Sequence, residues 1–170
     1  MKKLFKPSAV VLFFLFGMLN ANAQEVESKH ALGAGAGFTT GYGISYRYTP
    51  NRFGVQVNFA PYKTKEKSMY STGITFIYSL MKTEKTNLYL YQANHYFSSS
   101  ESVKIYGSLT PPNLLRTEKK DEAYFNNGIG FGMEFIVASK VGLNFMTGYA
   151  SYKNFEEFMM TGEFAIYFKF

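Results

Sequence analysis

The sequence predicts an all-β fold, a closed eight-stranded antiparallel up-and-down transmembrane β-barrel. Three observations predict it. The first is composition: 170 residues are 46% hydrophobic and 19% aromatic but only 18% charged, with 18 Phe, 14 Tyr and no Trp. That balance excludes a disordered chain. A mean hydropathy of −0.13 excludes a bundle of membrane helices. Strands that are apolar on one face only satisfy both facts. The second observation is period-two alternation through most of the chain, and the third is an export segment at its start.

Residues 1–23 read as a secretory signal peptide. Lys2, Lys3 and Lys6 precede an apolar run of 11 residues from Ala9 to Leu19, and Ala21-Asn22-Ala23 supplies the cleavage site. Spanning a bilayer takes roughly 20 apolar residues, so the run is too short for an anchor. Cleavage near Ala23 leaves one domain, residues 24–170. The peptide carries three lysines and no acid, so net charge falls from +6 to +3 in the remaining 147 residues. Half of the basic excess is therefore targeting, and nucleic-acid binding is not expected.

Eight segments alternate in order: 30–39, 41–49, 53–63, 68–81, 87–97, 123–137, 141–151 and 158–170. In the first, Gly33, Gly35 and Gly37 share a face and leave room inside a narrow lumen. In the third, Phe53, Val55, Val57 and Phe59 oppose Gly54, Gln56 and Asn58. In the sixth, Ile129, Phe131, Met133, Phe135 and Val137 oppose Gly128, Gly130, Gly132 and Glu134. The facing of 87–97 stays open, because Leu88 and Leu90 oppose Tyr89 and Tyr91. Thr49–Arg52, Lys82–Lys85 and Ser139–Lys140 are short turns. Of the alternate connections, that near Thr40 is short, whereas Lys63–Lys67, Tyr152–Glu157 and above all Ser98–Glu122 are longer. Barrels of outer membranes show that asymmetry, with short turns in the periplasm. A soluble sandwich or ligand-binding barrel also alternates, but with its apolar residues inward.

The last segment carries the sharpest pattern. Phe158, Met160, Gly162, Phe164, Ile166, Phe168 and Phe170 share one face, and the chain ends on Phe170. A final strand of this kind resembles the assembly signal of bacterial outer-membrane barrels. Over 30–170 the chain resembles, in pattern, the small eight-stranded family typified by OmpX and the OmpA transmembrane domain. The resemblance implies residence in the bacterial outer membrane, contact with its lipid and lipopolysaccharide, and recognition of Phe164, Ile166, Phe168 and Phe170 by the barrel assembly machinery. It also implies a monomer.

Eight strands enclose a space that side chains fill. The inward charges are Arg47, Glu134, Glu163 and Lys169, which sum to zero. Either they pair across the lumen, as buried charges must, or each is hydrated at a mouth. Function is expected in the outer loops, mainly 98–122, as a structural or surface-interaction role with a possible protein ligand. A narrow gated channel is the alternative, and a lipid A-modifying enzyme the third reading. Lys63, Lys65 and Lys67 are candidate contacts for lipopolysaccharide phosphates. Catalysis is not expected: the chain has two histidines, and His95 has only Ser98, Ser99, Ser100 and Glu101 as sequence neighbours for a site. No cofactor or metal is expected, since no carboxylate cluster has calcium-loop spacing and there is no cysteine.

Overall fold

The computed structural model describes residues 28–106 and 114–170, with side chains outside 104–116. The proposed signal peptide, 1–23, and the tip of the 98–122 segment lie outside these residues. The elements are β1 (His30–Gly37), β2 (Gly41–Tyr48), β3 (Phe53–Lys63), β4 (Lys67–Lys82), β5 (Thr86–Tyr106), β6 (Leu114–Ala138), β7 (Val141–Tyr152) and β8 (Glu157–Lys169). Each strand pairs antiparallel with the next, and β8 returns to β1 with Ala31 opposite Lys169 and Gly37 opposite Glu163. The ring is closed, so no strand edge is left open within the wall.

The polarity of the wall is inverted relative to a soluble barrel. Ile44, Phe131 and Phe145 on the outside are 65%, 57% and 47% exposed, while Ser45, Gln56, Asn58 and Asn144 inside are fully buried. In water this arrangement would bury polar groups and solvate apolar ones, against the hydrophobic effect. In hydrocarbon it satisfies the backbone through the closed ladder and leaves the apolar face in its preferred medium. The soluble reading required the opposite facing.

Strand β5 settles the facing that the sequence left open. Tyr89, Tyr91, Ala93 and His95 are buried in the lumen, and Leu90 points outward. The tyrosines go inward because the lumen offers polar partners for their hydroxyls. Gly132 sits across β5 from Tyr89, where a Cβ would collide with the phenol ring. The small residues of β6 thus make space for the large ones of β5.

Two hairpins differ from expectation in length. Strands β1 and β2 are only eight residues each, whereas β5 and β6 reach 21 and 25. The segment 98–122, a long outer connection that could fold onto the barrel mouth or extend the strands as a projecting sheet, takes the second form: Ser98 pairs with Ala123, and the ladder runs on to Tyr106 opposite Leu114. The alternation disappears there because both faces of the projection carry polar residues, so period two leaves no mark.

The short first hairpin closes one end of the lumen. Thr39 and Thr40 are 2% and 1% exposed although they form a turn. The Phe38 carbonyl lies 3.0 Å from His95 Nδ1 and accepts from Asn126 Nδ2 at 2.9 Å. The Gly41 carbonyl accepts from Asn58 Nδ2 at 3.1 Å. Gly41 and Gly43 hold φ of 82° and 112°, values that glycine adopts without strain. The turn is thereby drawn inward as a cork, while β3 to β6 continue past it.

Candidate functional site

The lumen beneath that cork is a single polar network. Arg47, on the inward face of β2, donates from Nη2 and Nε to Gln56 Oε1 at 2.6 and 3.2 Å, and from Nη1 to Asn144 Oδ1 at 3.3 Å. The guanidinium carbon lies 4.4 Å from the Tyr167 ring centroid and 5.5 Å from that of Tyr89. Both are within cation–π range. Nη1 is 3.9 Å from Glu134 Oε1 on the far wall, and Glu134 Oε2 accepts from Lys169 Nζ at 3.0 Å. Glu163 accepts from Gln56 Nε2 at 3.2 Å and Asn144 Nδ2 at 3.3 Å.

The four charges named from sequence therefore meet in one cluster, with Glu163 joined through amides rather than by a direct ion pair. The tyrosines complete it. Ser45 Oγ donates to Asn58 Oδ1 at 2.6 Å, so its one proton is committed and Tyr167 donates to Ser45 at 2.7 Å. Tyr89 donates to Asn144 Oδ1, the same oxygen that Arg47 reaches. Parity alone put Arg47 and Glu134 inside; the ring stacking on Arg47 needed the facing of β5, which the alternation did not resolve. Such a cluster can hold charge and rigidify the wall.

His95 does not assemble with Ser98, Ser99, Ser100 or Glu101. Its Nε2 lies 2.9 Å from Ser71 Oγ and its Nδ1 3.0 Å from the Phe38 carbonyl. Ser71 is fully buried and His95 is 2% exposed. Its ring nitrogens bind a buried hydroxyl and the cork's backbone, which is a structural use of the imidazole. Among the described residues no group of three His, Asp or Glu side chains is placed to hold a metal ion.

The candidate phosphate contacts are spread over one turn. Lys63 and Lys65 are exposed, whereas Lys67 Nζ is bound to Glu101 Oε2 at 3.2 Å. Beyond Ser102, whose N–H donates to the Glu66 carbonyl at 2.8 Å, no described strand flanks the β5–β6 hairpin on its β5 side. Strand β7 pairs with β6 only from Asn127 onward. The Asn154 side chain and backbone take up the N–H and C=O of Phe125. By the two-residue repeat, Thr117, Lys119, Asp121 and Ala123 turn the same backbone groups away from β5, and no described strand pairs with them. On this edge Lys119 Nζ lies 3.6 Å from Asp121. A hydrogen bond from Ser100, with that lysine, holds the Asp121 carboxyl below its ordinary value.

The C-terminal residues lock the seam of the ring. Phe164 and Ile166 are exposed on the outer face of β8, with Phe168 beside them and exposed Phe170 just past the strand. Phe170 N donates to the His30 carbonyl at 3.0 Å. The His30 ring stacks against Tyr48 at 4.8 Å and Phe170 at 5.9 Å, and its Nδ1 lies 2.7 Å from the Tyr46 hydroxyl.

No family model matches the chain, and no curated protein does. Solved structures with a similar chain path include the N-terminal β-barrel domain of OprF from Pseudomonas aeruginosa, at 13% identity and a TM-score of 0.49, covering 83% of this chain and 95% of that one. Neisserial surface protein A follows at 18% identity and a TM-score of 0.46, covering 83% and 94%. Ail, the attachment invasion locus protein of Yersinia pestis, is 14% identical with a TM-score of 0.43, covering 86% and 100%. By its own closed ring of eight strands, apolar outside and polar within, this chain has the fold of the small outer-membrane β-barrels that its sequence resembles.

Proposed function

We propose that the chain is a non-catalytic protein of the bacterial outer membrane, exported by residues 1–23, that acts at the cell surface through its β5–β6 hairpin. The observation that carries this reading is the outer edge of β6 at Thr117, Lys119, Asp121 and Ala123, which rises beyond the wall and with which no described strand pairs. An extended segment of another protein can add to such an edge, with main-chain hydrogen bonds supplying affinity. The short turns face the periplasm and the hairpin faces outward. Lys63, Lys65 and Lys67 sit where the outer leaflet's phosphates would meet them, with Lys67 already shared with Glu101.

Deleting residues 102–118 is expected to leave membrane insertion intact and to weaken retention of surface ligands, because it shortens the edge to Lys119, Asp121 and Ala123. Insertion is read by heat-dependent gel mobility, and ligand retention by pull-down on whole cells. Loss of insertion on deletion would contradict a role confined to recognition.

The packed lumen weighs against the gated-channel reading. Arg47, Gln56, Tyr89, Asn144 and Tyr167 occupy the cross-section, and the Phe38–Gly41 turn closes one end. Planar-bilayer recordings of the folded protein are expected to show no steady conductance. Reproducible ion steps would favour the channel instead.

The final strand is proposed as the site read by the barrel assembly machinery. Phe170→Ala removes both the terminal aromatic and its stack on His30. The fraction of chains reaching the heat-modifiable form in cells is expected to fall. An unchanged fraction would contradict that role.

A further inference from the structure

The short-turn end carries a cleft that neither the lumen nor the hairpin uses. It measures about 380 Å³ and is lined by Asn51, Arg52, Ser79, Leu80 and Lys82. The turn before β3 is held against β4 by a hydrogen bond from Ser79 N to the Arg52 carbonyl at 2.8 Å. That bond fixes Arg52 beside the end of β4. Arg52, Lys82 and Lys85 are all exposed there, and Glu84 is the one carboxylate on the two turns.

The local backbone adds an apolar half. The β4–β5 register shifts between Ser79 and Met81, leaving Leu80 unpaired. A bulge of this kind re-aims side chains. Leu80 and Met81 are consequently both exposed, at 43% and 53%, although neighbours on a regular strand would face opposite ways. Phe53 and Tyr78 pair across β3 and β4 just above, with rings 4.9 Å apart. Aromatic rings at a strand end mark the level of the membrane interface. Arg52, Lys82 and Asn51 therefore line one cleft at headgroup height beside an outward apolar pair, with Lys85 on the adjoining turn.

We propose that this cleft seats the phosphate of an anionic phospholipid of the periplasmic leaflet, with Leu80 and Met81 against its acyl chains. The inference rests on the outer-membrane reading for which end meets that leaflet. Arg52 supplies a fork suited to phosphate oxygens, and Lys82 and Lys85 act as point charges. A zwitterionic lipid brings its own cation to the same place and gains much less.

The test is native mass spectrometry of the complete mature chain, folded in a maltoside micelle. The micelle also carries equimolar phosphatidylglycerol and phosphatidylcholine. A basic residue near an anionic headgroup is worth about fivefold in affinity, so R52Q/K82Q/K85Q is expected to lose at least about tenfold of the phosphatidylglycerol preference. K63Q/K65Q/K67Q, at the opposite end, is expected to retain it. Heat-dependent gel mobility confirms that each variant is folded. Equal retention of the two lipids, or a preference abolished only by the Lys63 variant, would overturn the proposal. So would complete displacement by excess inorganic phosphate, which would make the cleft a site for free anions. Any of these outcomes leaves the outer-membrane reading standing; a chain that stays folded and soluble without detergent contradicts that reading itself.

Discussion

Glu134→Gln is expected to destabilise the folded barrel by about 3–5 kcal/mol, because it leaves Arg47 and Lys169 with one carboxylate, Glu163, which meets Arg47 only through the Gln56 and Asn144 amides. Arg47 is 3% exposed and cannot recover water in place of the carboxylate. Its hydrogen bonds to Gln56 and Asn144 remain, as do the two tyrosine rings, but these are neutral partners. Lys169 makes the shorter contact with Glu134, yet its side chain is 20% exposed and can rehydrate at the lumen mouth. The cost therefore falls mainly on Arg47. Urea titration of folding into vesicles measures it. Arg47→Met combined with Glu134→Gln is expected to cost much less than the two single changes together. A double-mutant cycle with zero coupling would show that the two charges are independently hydrated.

Phe145→Arg is expected to cost about 2–4 kcal/mol in the same titration if the residue lies near the bilayer midplane. Phe145 projects from the middle of β7, opposite Met133 on β6 and Phe164 on β8, with its ring 5.1 Å from that of Phe164. An arginine there has neither a partner nor a short route to the interface. Phe158→Arg is the internal control. Phe158 is 75% exposed at the start of β8, beside the Lys153–Glu157 ion pair, so the same substitution is expected to cost about 0–1 kcal/mol. Equal costs at the two positions would contradict a depth-dependent apolar surroundings and hence the assignment of this face to lipid.

The wall was legible because lipid on one side and a polar lumen on the other impose alternation directly. Phe53 to Phe59 and Ile129 to Val137 carry that constraint residue by residue, and their facing follows from it. The same parity placed Arg47, Gln56, Glu134, Asn144 and Glu163 inside. It did not resolve β5, because Tyr89 is apolar by area but spends its hydroxyl on Asn144, so both faces of the strand look alike. It did not decide between a projecting sheet and a loop folded on the mouth for 98–122, both of which the length and apolar residues of that segment allow. Ser98 to Ser102 and Lys119 to Glu122 meet water on both faces, and a strand without a buried side has no period to read. The cork at Phe38–Gly41 depended on side chains from β3, β5 and β6 converging on backbone carbonyls. Nothing local to Thr39 or Thr40 announces burial, since threonines in a turn usually face solvent.

The Ser71–His95 pair illustrates a separate limit. A histidine followed by three serines and a glutamate looks chemical along the chain, yet the ladder sends adjacent residues to opposite faces and their side chains diverge. The imidazole finds its partners one strand away and in the cork instead. Sequence adjacency on a β-strand separates side chains, and only register brings them together.

The central claim is a closed barrel residing in the outer membrane. Its most direct test is the gel mobility of the outer-membrane fraction, unboiled against boiled, detected with an antibody to residues 24–170. A faster band that shifts on boiling is the expected result, because a closed ladder with no free edge in its wall resists detergent until heated. A band found only in the soluble periplasm, with no shift, would contradict the account.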